Sequence, residues 1–212
     1  MDTGPDHRDG PVGFDLDLTL IDSRPAILAA WEHLAQDTGV AIDLAVVDAR
    51  MGLKLEDEAA YWFPPSELDR AADDYRRHYV RLAPALTTAL PGAAAALDAV
   101  TATGATAVII TAKHPVSIGP SLTAAGLPGA EIYAHVHGPE KAAVLERLRA
   151  AVYVGDTPAD MAAARSAGAR AVGVLTGSFD VTKLLAAGAH DVLATLEGFP
   201  AWYASFRAGA PS

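Results

Sequence analysis

Cysteine is absent from the 212 residues, which excludes disulfides and thiolate metal sites. Basic residues are scarce: 16 lysines and arginines stand against 26 acidic residues, a formal net charge of −10. A surface of that sign repels nucleic acid and anionic membranes, so neither is an expected partner. The same field opposes a phosphorylated ligand at long range, so a phosphate site would need cations of its own close by. No apolar stretch approaches the roughly 20 residues that cross a bilayer. The polar residues 1–11 lack the hydrophobic run of a signal peptide and read as a flexible leader. The expectation is a cytoplasmic protein, monomeric or homodimeric, whose partner is a small molecule.

Apolar material is not lacking: 51% of the chain is hydrophobic, enough for a sizeable core. Residues 105–111, 130–136, 151–156 and 170–177 are Val/Ile-rich runs bounded by Gly, Pro or Asp, the pattern of strands buried on both faces. Helical stretches over 115–125, 139–150 and 158–167 separate them, with proline in the first turn and Gly168 as a stop. Alternating strand and helix implies an α/β fold with a doubly wound parallel sheet. Residues 12–18 supply its first strand. From 24 to 90 only helical periodicity is found, over 25–38, 44–51, 55–62 and 67–82, with Ser66 and Asp69 as a capping box for the last. The domains are therefore a core of 12–22 and 91–212, and an all-helical insertion over 23–90.

Polar residues gather at the C-terminal ends of the expected strands: Asp15 and Asp17, Thr111, then Asp156 with Asp160 one turn on, while Lys141 opens a helix. Ligand sites of open α/β sheets lie at that edge. Several carboxylates in one crevice repel one another unless a cation compensates, and a hard divalent ion such as Mg2+ with oxygen ligands is the simplest solution. Asp15 and Asp17 both face the crevice only if the chain stays extended through Asp17.

The stretch GFDLDLTLIDS, the run VIITAK, Lys141 in HGPEKAAVL and VGDTPADMAAARSAGARAVGVLTG resemble, in order and spacing, the four motifs of the haloacid dehalogenase-like (HAD) hydrolase superfamily. The GD-x-x-x-D form and the inserted helices resemble its phosphoglycolate phosphatase-like branch. That resemblance implies a Rossmann-like core with a helical cap and a phosphatase acting on a small phosphorylated metabolite. It implies Asp15 as nucleophile forming an aspartyl-phosphate and Asp17 as general acid/base. It makes Thr111, Ala112, Lys113 and Lys141 the phosphate-binding set, and Asp15, Asp17 (through its carbonyl), Asp156 and Asp160 the Mg2+ site. Asp17 favours phosphate ester hydrolysis, because dehalogenating members lack it. A phosphomutase or a non-catalytic partner-binding module are the alternatives.

Two departures stand out. Leu18 replaces the usual glycine, which implies that this position needs no positive φ. Ala112 replaces an asparagine, leaving Lys113 as a second cation. Arg50, Gly52 and Lys54 form a turn that in capped relatives selects the substrate; the two cations are suited to a second anionic group, or are ordinary exposed charges. Among the seven histidines no i, i+4 pair suggests a zinc site, and His114, His135 and His137 read as surface residues or a strand end. Tyr61, Trp62 and Phe63 are expected in the cap core, and Arg76, Arg77 and Arg81 on a solvated helix face.

Overall fold

The computed structural model describes residues 7–127 and 129–209. Residues 1–6 of the expected leader lie outside it, whereas His7–Asp9 form a single 3-10 turn. Strand β1 (Val12–Phe14) leads through β2 (Ile21–Asp22) into four helices, α1 (Arg24–Thr38), α2 (Leu44–Ala49), α3 (Leu55–Trp62) and α4 (Leu68–Leu86), and returns at β3 (Thr88–Ala89). There follow α5 (Ala93–Thr101), β4 (Ala107–Ile110), α6 (Pro115–Ala125), β5 (Glu131–Tyr133), α7 (Pro139–Leu148), β6 (Val152–Gly155), α8 (Pro158–Ser166), β7 (Arg170–Val174), α9 (Val181–Ala186), β8 (Asp191–Leu193) and α10 (Phe199–Arg207).

Six strands form one parallel sheet in the order β5-β4-β1-β6-β7-β8. The inner strands are apolar along their length because both faces are covered: β4 is AVII and β6 is VYVG, every residue buried. Val12, Phe14, Ile109, Val152 and Val154 pack on one side with α5, α6 and α10. Val108, Ile110, Tyr153 and Ala171 pack on the other with α7 and α8. Each fully buried aromatic such as Phe14, whose ring lies 5.3 Å from that of Phe199, contributes roughly 2–3 kcal/mol. The chain steps from β1 to β4 on one side and later returns to β6 on the other, so the switch point opens at the C-terminal end of β1.

Helices α1–α4 have a hydrophobic cluster of their own around Trp31, Leu34, Val47, Phe63, Tyr75 and Tyr79. On α4 the buried residues Ala71, Tyr75, Tyr79 and Ala83 recur every four positions, one stripe of the helix. Among the described residues no helix is long and apolar enough to cross a membrane.

Three expectations are corrected. The strand expected over 12–18 stops at Phe14. Beyond it the chain turns, with the amides of Leu20 and Ile21 both donating to the Leu16 carbonyl at 2.9 and 3.1 Å. Leu18 does adopt a positive φ, 58°, a left-handed conformation that costs an L-residue about 1–2 kcal/mol. Its burial and two hydrogen bonds offset this: Leu18 donates to the Ile21 carbonyl at 2.8 Å, and Thr176 Oγ1 donates to the Leu18 carbonyl at 2.5 Å. The capping box at Ser66/Asp69 does not form; α4 is capped at Glu67 without a side-chain bond. The box forms instead at Thr157/Asp160, at the head of α8.

Candidate active site

The tight turn after β1 brings Asp15 and Asp17 into one cavity of about 600 Å3, whose wall also includes Thr111, Ala112, Lys113, Lys141, Asp156 and Asp160. All eight residues of the expected catalytic, phosphate and metal sets therefore line one space, with Asp17 in an isolated β-bridge to Ile21 ahead of the turn over 18–20.

Asp15 is 7% exposed, and its amide is fixed by the Val154 carbonyl at 2.8 Å. Lys141 enters from the first turn of α7, itself 6% exposed. It donates to Asp15 Oδ1 at 2.8 Å and to Asp160 Oδ1 at 2.7 Å. Asp160 is saturated: Tyr153 donates to the same Oδ1 at 3.2 Å, while Thr157 donates to Oδ2 through its hydroxyl at 2.6 Å and its amide at 3.2 Å. Gly155 and Gly177 permit this crowding. A Cβ on Gly155 would lie 2.5 Å from Asp160 Cβ, and one on Gly177 would overlap Asp156 Oδ2.

Asp156 accepts from Thr19 Oγ1 at 3.3 Å. Asp17, half-buried, accepts from Ser23 Oγ at 2.5 Å and Lys113 Nζ at 2.7 Å. Lys113 sits 4.1 Å over the ring of Tyr79, which comes from α4, and its amide takes a bond to Thr111 Oγ1 at 3.1 Å. Ser23, Tyr79 and Tyr153 carried no signal in the sequence: each acts singly, at no motif spacing.

The charges do not balance. Burial, reinforced by Asp160 and Asp17 against the pull of Lys141, pushes the Asp15 carboxyl up to about 7. Burial, with Asp160 and Asp15, holds Asp156 well above the usual carboxylate range. Burial opposes the charge on Lys141, but Asp15 and Asp160 outweigh it and raise its pKa. One lysine thus faces three buried carboxylates, Asp15, Asp156 and Asp160, whose oxygens lie within 4.8 Å of one another. Only hard oxygen donors converge there, so the cluster fits a divalent cation of the Mg2+ kind.

Arg50, Gly52 and Lys54 all line the cavity, Arg50 engaged by Glu58 at 2.7 Å and stacked 4.4 Å over Tyr61. Arg76 departs from expectation. It lies in the cavity wall rather than on a solvated face, held by Glu56 and by Asp73, because α4 turns that side towards the core loops. His114, His135 and His137 also reach the cavity. Of the aromatic triplet, Phe63 is buried and Tyr61 exposed.

A family model described as haloacid dehalogenase-like hydrolase matches residues 12–168. A phosphoglycolate phosphatase of Neisseria gonorrhoeae is 30% identical over 198 residues, covering 82% of this chain and 83% of that protein. A putative haloacid dehalogenase-like hydrolase from Bacteroides fragilis superposes with a TM-score of 0.78 at 22% identity, over 88% of this chain and 97% of the other. A HAD family hydrolase from Deinococcus radiodurans, crystallised with bound phosphate and sodium, gives 0.70 at 23% identity over 96% and 98%.

Proposed function

The chain belongs to the haloacid dehalogenase-like hydrolases, and on that premise we propose that it is a magnesium-dependent phosphatase of a small phosphomonoester. The observation that carries this reading is the convergence of Asp15, Asp156, Asp160 and Lys141 in one cavity, with Asp17 beside them. Phosphoglycolate, named for the gonococcal relative, is one candidate substrate; sugar and nucleoside monophosphates are others.

Asp15 is the nucleophile. Lys141 holds Oδ1, which orients the carboxylate, and an oxygen of that group attacks phosphorus while the ester P–O bond breaks. Asp17 gives its proton to the leaving alkoxide and later takes one from the water that attacks the aspartyl-phosphate. That second attack breaks the bond to Asp15, releases inorganic phosphate and restores the free carboxylate. Thr111, Ala112, Lys113 and Lys141 hold the phosphoryl oxygens.

Asp15, the carbonyl of Asp17 and Asp156 would hold Mg2+, which when bound supplies the positive charge that offsets repulsion between nucleophile and phosphate. Asp160, with both oxygens engaged, suits the task of positioning Lys141. We take helices α1–α4 as a cap that shields the site from bulk water. We take the enzyme to be cytoplasmic, monomeric or homodimeric.

The test is hydrolysis of an aryl phosphate with and without Mg2+. Activity should require the metal, and Asp15→Asn should lower it by about a thousandfold or more. Unchanged turnover in that variant would remove Asp15 as nucleophile.

A further inference from the structure

Helices α1–α4 and the turns between them supply one wall of the cavity, and its side chains are largely apolar. Ile27 and Trp31 come from α1, Val47 from α2, Met51 from the turn after it, Leu55 from the start of α3 and Tyr75 from α4. Ile27 and Trp31, four residues apart, share one face of their helix. The rings of Trp31 and Tyr75 lie 4.9 Å from each other. Leu53 also lines the cavity and is 49% exposed, an apolar side chain that the fold leaves uncovered.

The charges on this side leave no positive surplus. Arg50, Lys54 and Arg76 line the cavity together with four acids, Glu56, Asp57, Glu58 and Glu140. Glu58 holds Arg50 at 2.7 Å and Glu56 holds Arg76. The His137 amide and then Lys54 keep the Glu140 carboxyl below its usual range. Burial lowers the pKa of His114 and takes that of His137 down to about 4, so both rings are neutral at physiological pH. Burial, with Tyr79 and Asp17, pushes the Tyr75 phenol well above its usual value, so it too stays uncharged.

We propose that this wall receives an uncharged, apolar group on the alcohol side of the substrate, making the enzyme a phosphatase for monoesters of hydrophobic alcohols. The inference rests on the phosphatase reading above and deepens it. A carboxylate or second phosphate at that end would meet a field of net negative sign and cations that already have acidic neighbours. Phosphoglycolate, whose far end is a carboxylate, should therefore be a poor substrate. An ammonium would lose its hydration among aliphatic side chains, and Glu56 and Glu58 are already engaged by arginines. An apolar group loses nothing there and gains burial, in keeping with ligand sites lined mainly by hydrophobic and aromatic side chains.

The test compares kcat/KM, at saturating Mg2+, for straight-chain alkyl phosphates from ethyl to hexyl and for ω-carboxyalkyl and ω-aminoalkyl phosphates of matched length. The leaving alcohols of the alkyl series differ little in acidity, so the series reports binding rather than bond breaking. The expected result is a rise of up to about fourfold for each methylene over the first few carbons. Both charged series should fall at least about tenfold below the alkyl ester of the same length. Met51→Gln and Leu55→Gln should each flatten the rise, mainly through KM for the longer esters, with kcat on ethyl phosphate changed less. Met51→Leu, which keeps an apolar side chain, should retain it. Met51 is only half-buried, so its variants test the wall even if Leu55→Gln folds poorly. Equal kcat/KM along the alkyl series, a rise untouched in Met51→Gln, or a charged series outrunning the alkyl one would overturn the apolar subsite and leave the phosphatase reading standing. Failure to hydrolyse all three series and an aryl phosphate alike would overturn both.

Discussion

Lys141 is the residue on which the electrostatics of the site turn. Among the described residues it is the one cation in contact with Asp15 and Asp160, and removing one partner from a buried ion cluster typically costs about 3–5 kcal/mol. Lys141→Met should lower turnover by at least about a hundredfold and lower stability by about 3 kcal/mol at pH 8, read by denaturant unfolding without metal. Ser23, by contrast, only orients Asp17. Ser23→Ala should reduce kcat by less than about tenfold, the loss of one hydrogen bond to a charged group. At this scale the sequence was legible in placement: the motif spacings bring Asp15, Asp17, Thr111, Lys141, Asp156 and Asp160 to one cavity. It was silent on Ser23 and Tyr79, which sit at no motif spacing, and it read His137 as a strand-end or surface residue where the structure places it, buried, in the cavity wall. Leu18 was misread because leucine argues against positive φ; here packing and Thr176 outweigh that preference.

Among the elements, the inner strands and the proline-initiated helices were readable because β4 and β6 are unbroken apolar runs and α6, α7 and α8 each begin with Pro. The turn after β1 was not. Leu16, Leu18 and Leu20 alternate with polar residues as a half-buried strand would, and all three are buried, but through a reversal of the chain. Strands β2 and β3, two residues each, are too short to carry any period, and β8 has none of the Val/Ile density of the inner strands. The head of α8 is where local structure meets chemistry, since Thr157 both caps the helix and holds Asp160. Thr157→Ala should cost about 1 kcal/mol of stability and, by freeing Asp160, reduce kcat more than KM. Gly177→Ala should displace Asp156, whose oxygen its Cβ would overlap; the expected effect is at least tenfold weaker Mg2+ activation, measured by metal titration.

For the whole molecule, the proposed metal and pH would act on one equilibrium. Without metal, Asp15 has its pKa raised from 3.8 to about 7, so the folded state binds more protons than the unfolded chain between those values. Stability from this group is therefore present below about pH 4 and lost as pH rises towards 7. Mg2+ binding requires the ionised carboxylate, so the rise in Tm on adding Mg2+ should be small at pH 5 and large at pH 8. A thermal shift that does not grow across that range would count against Asp15 as a ligand.

The stack of Tyr79 on Lys113, and of Lys113 on Asp17, limits how this enzyme can be re-engineered. Helices inserted at a single point of a sheet invite transplantation from one scaffold to another to change selectivity. Here the insert also supplies the platform beneath the cation that grips Asp17, the proposed proton donor. A grafted insert lacking an aromatic ring at the position of Tyr79 would bring new selectivity with slower chemistry, and a graft that keeps the ring would not.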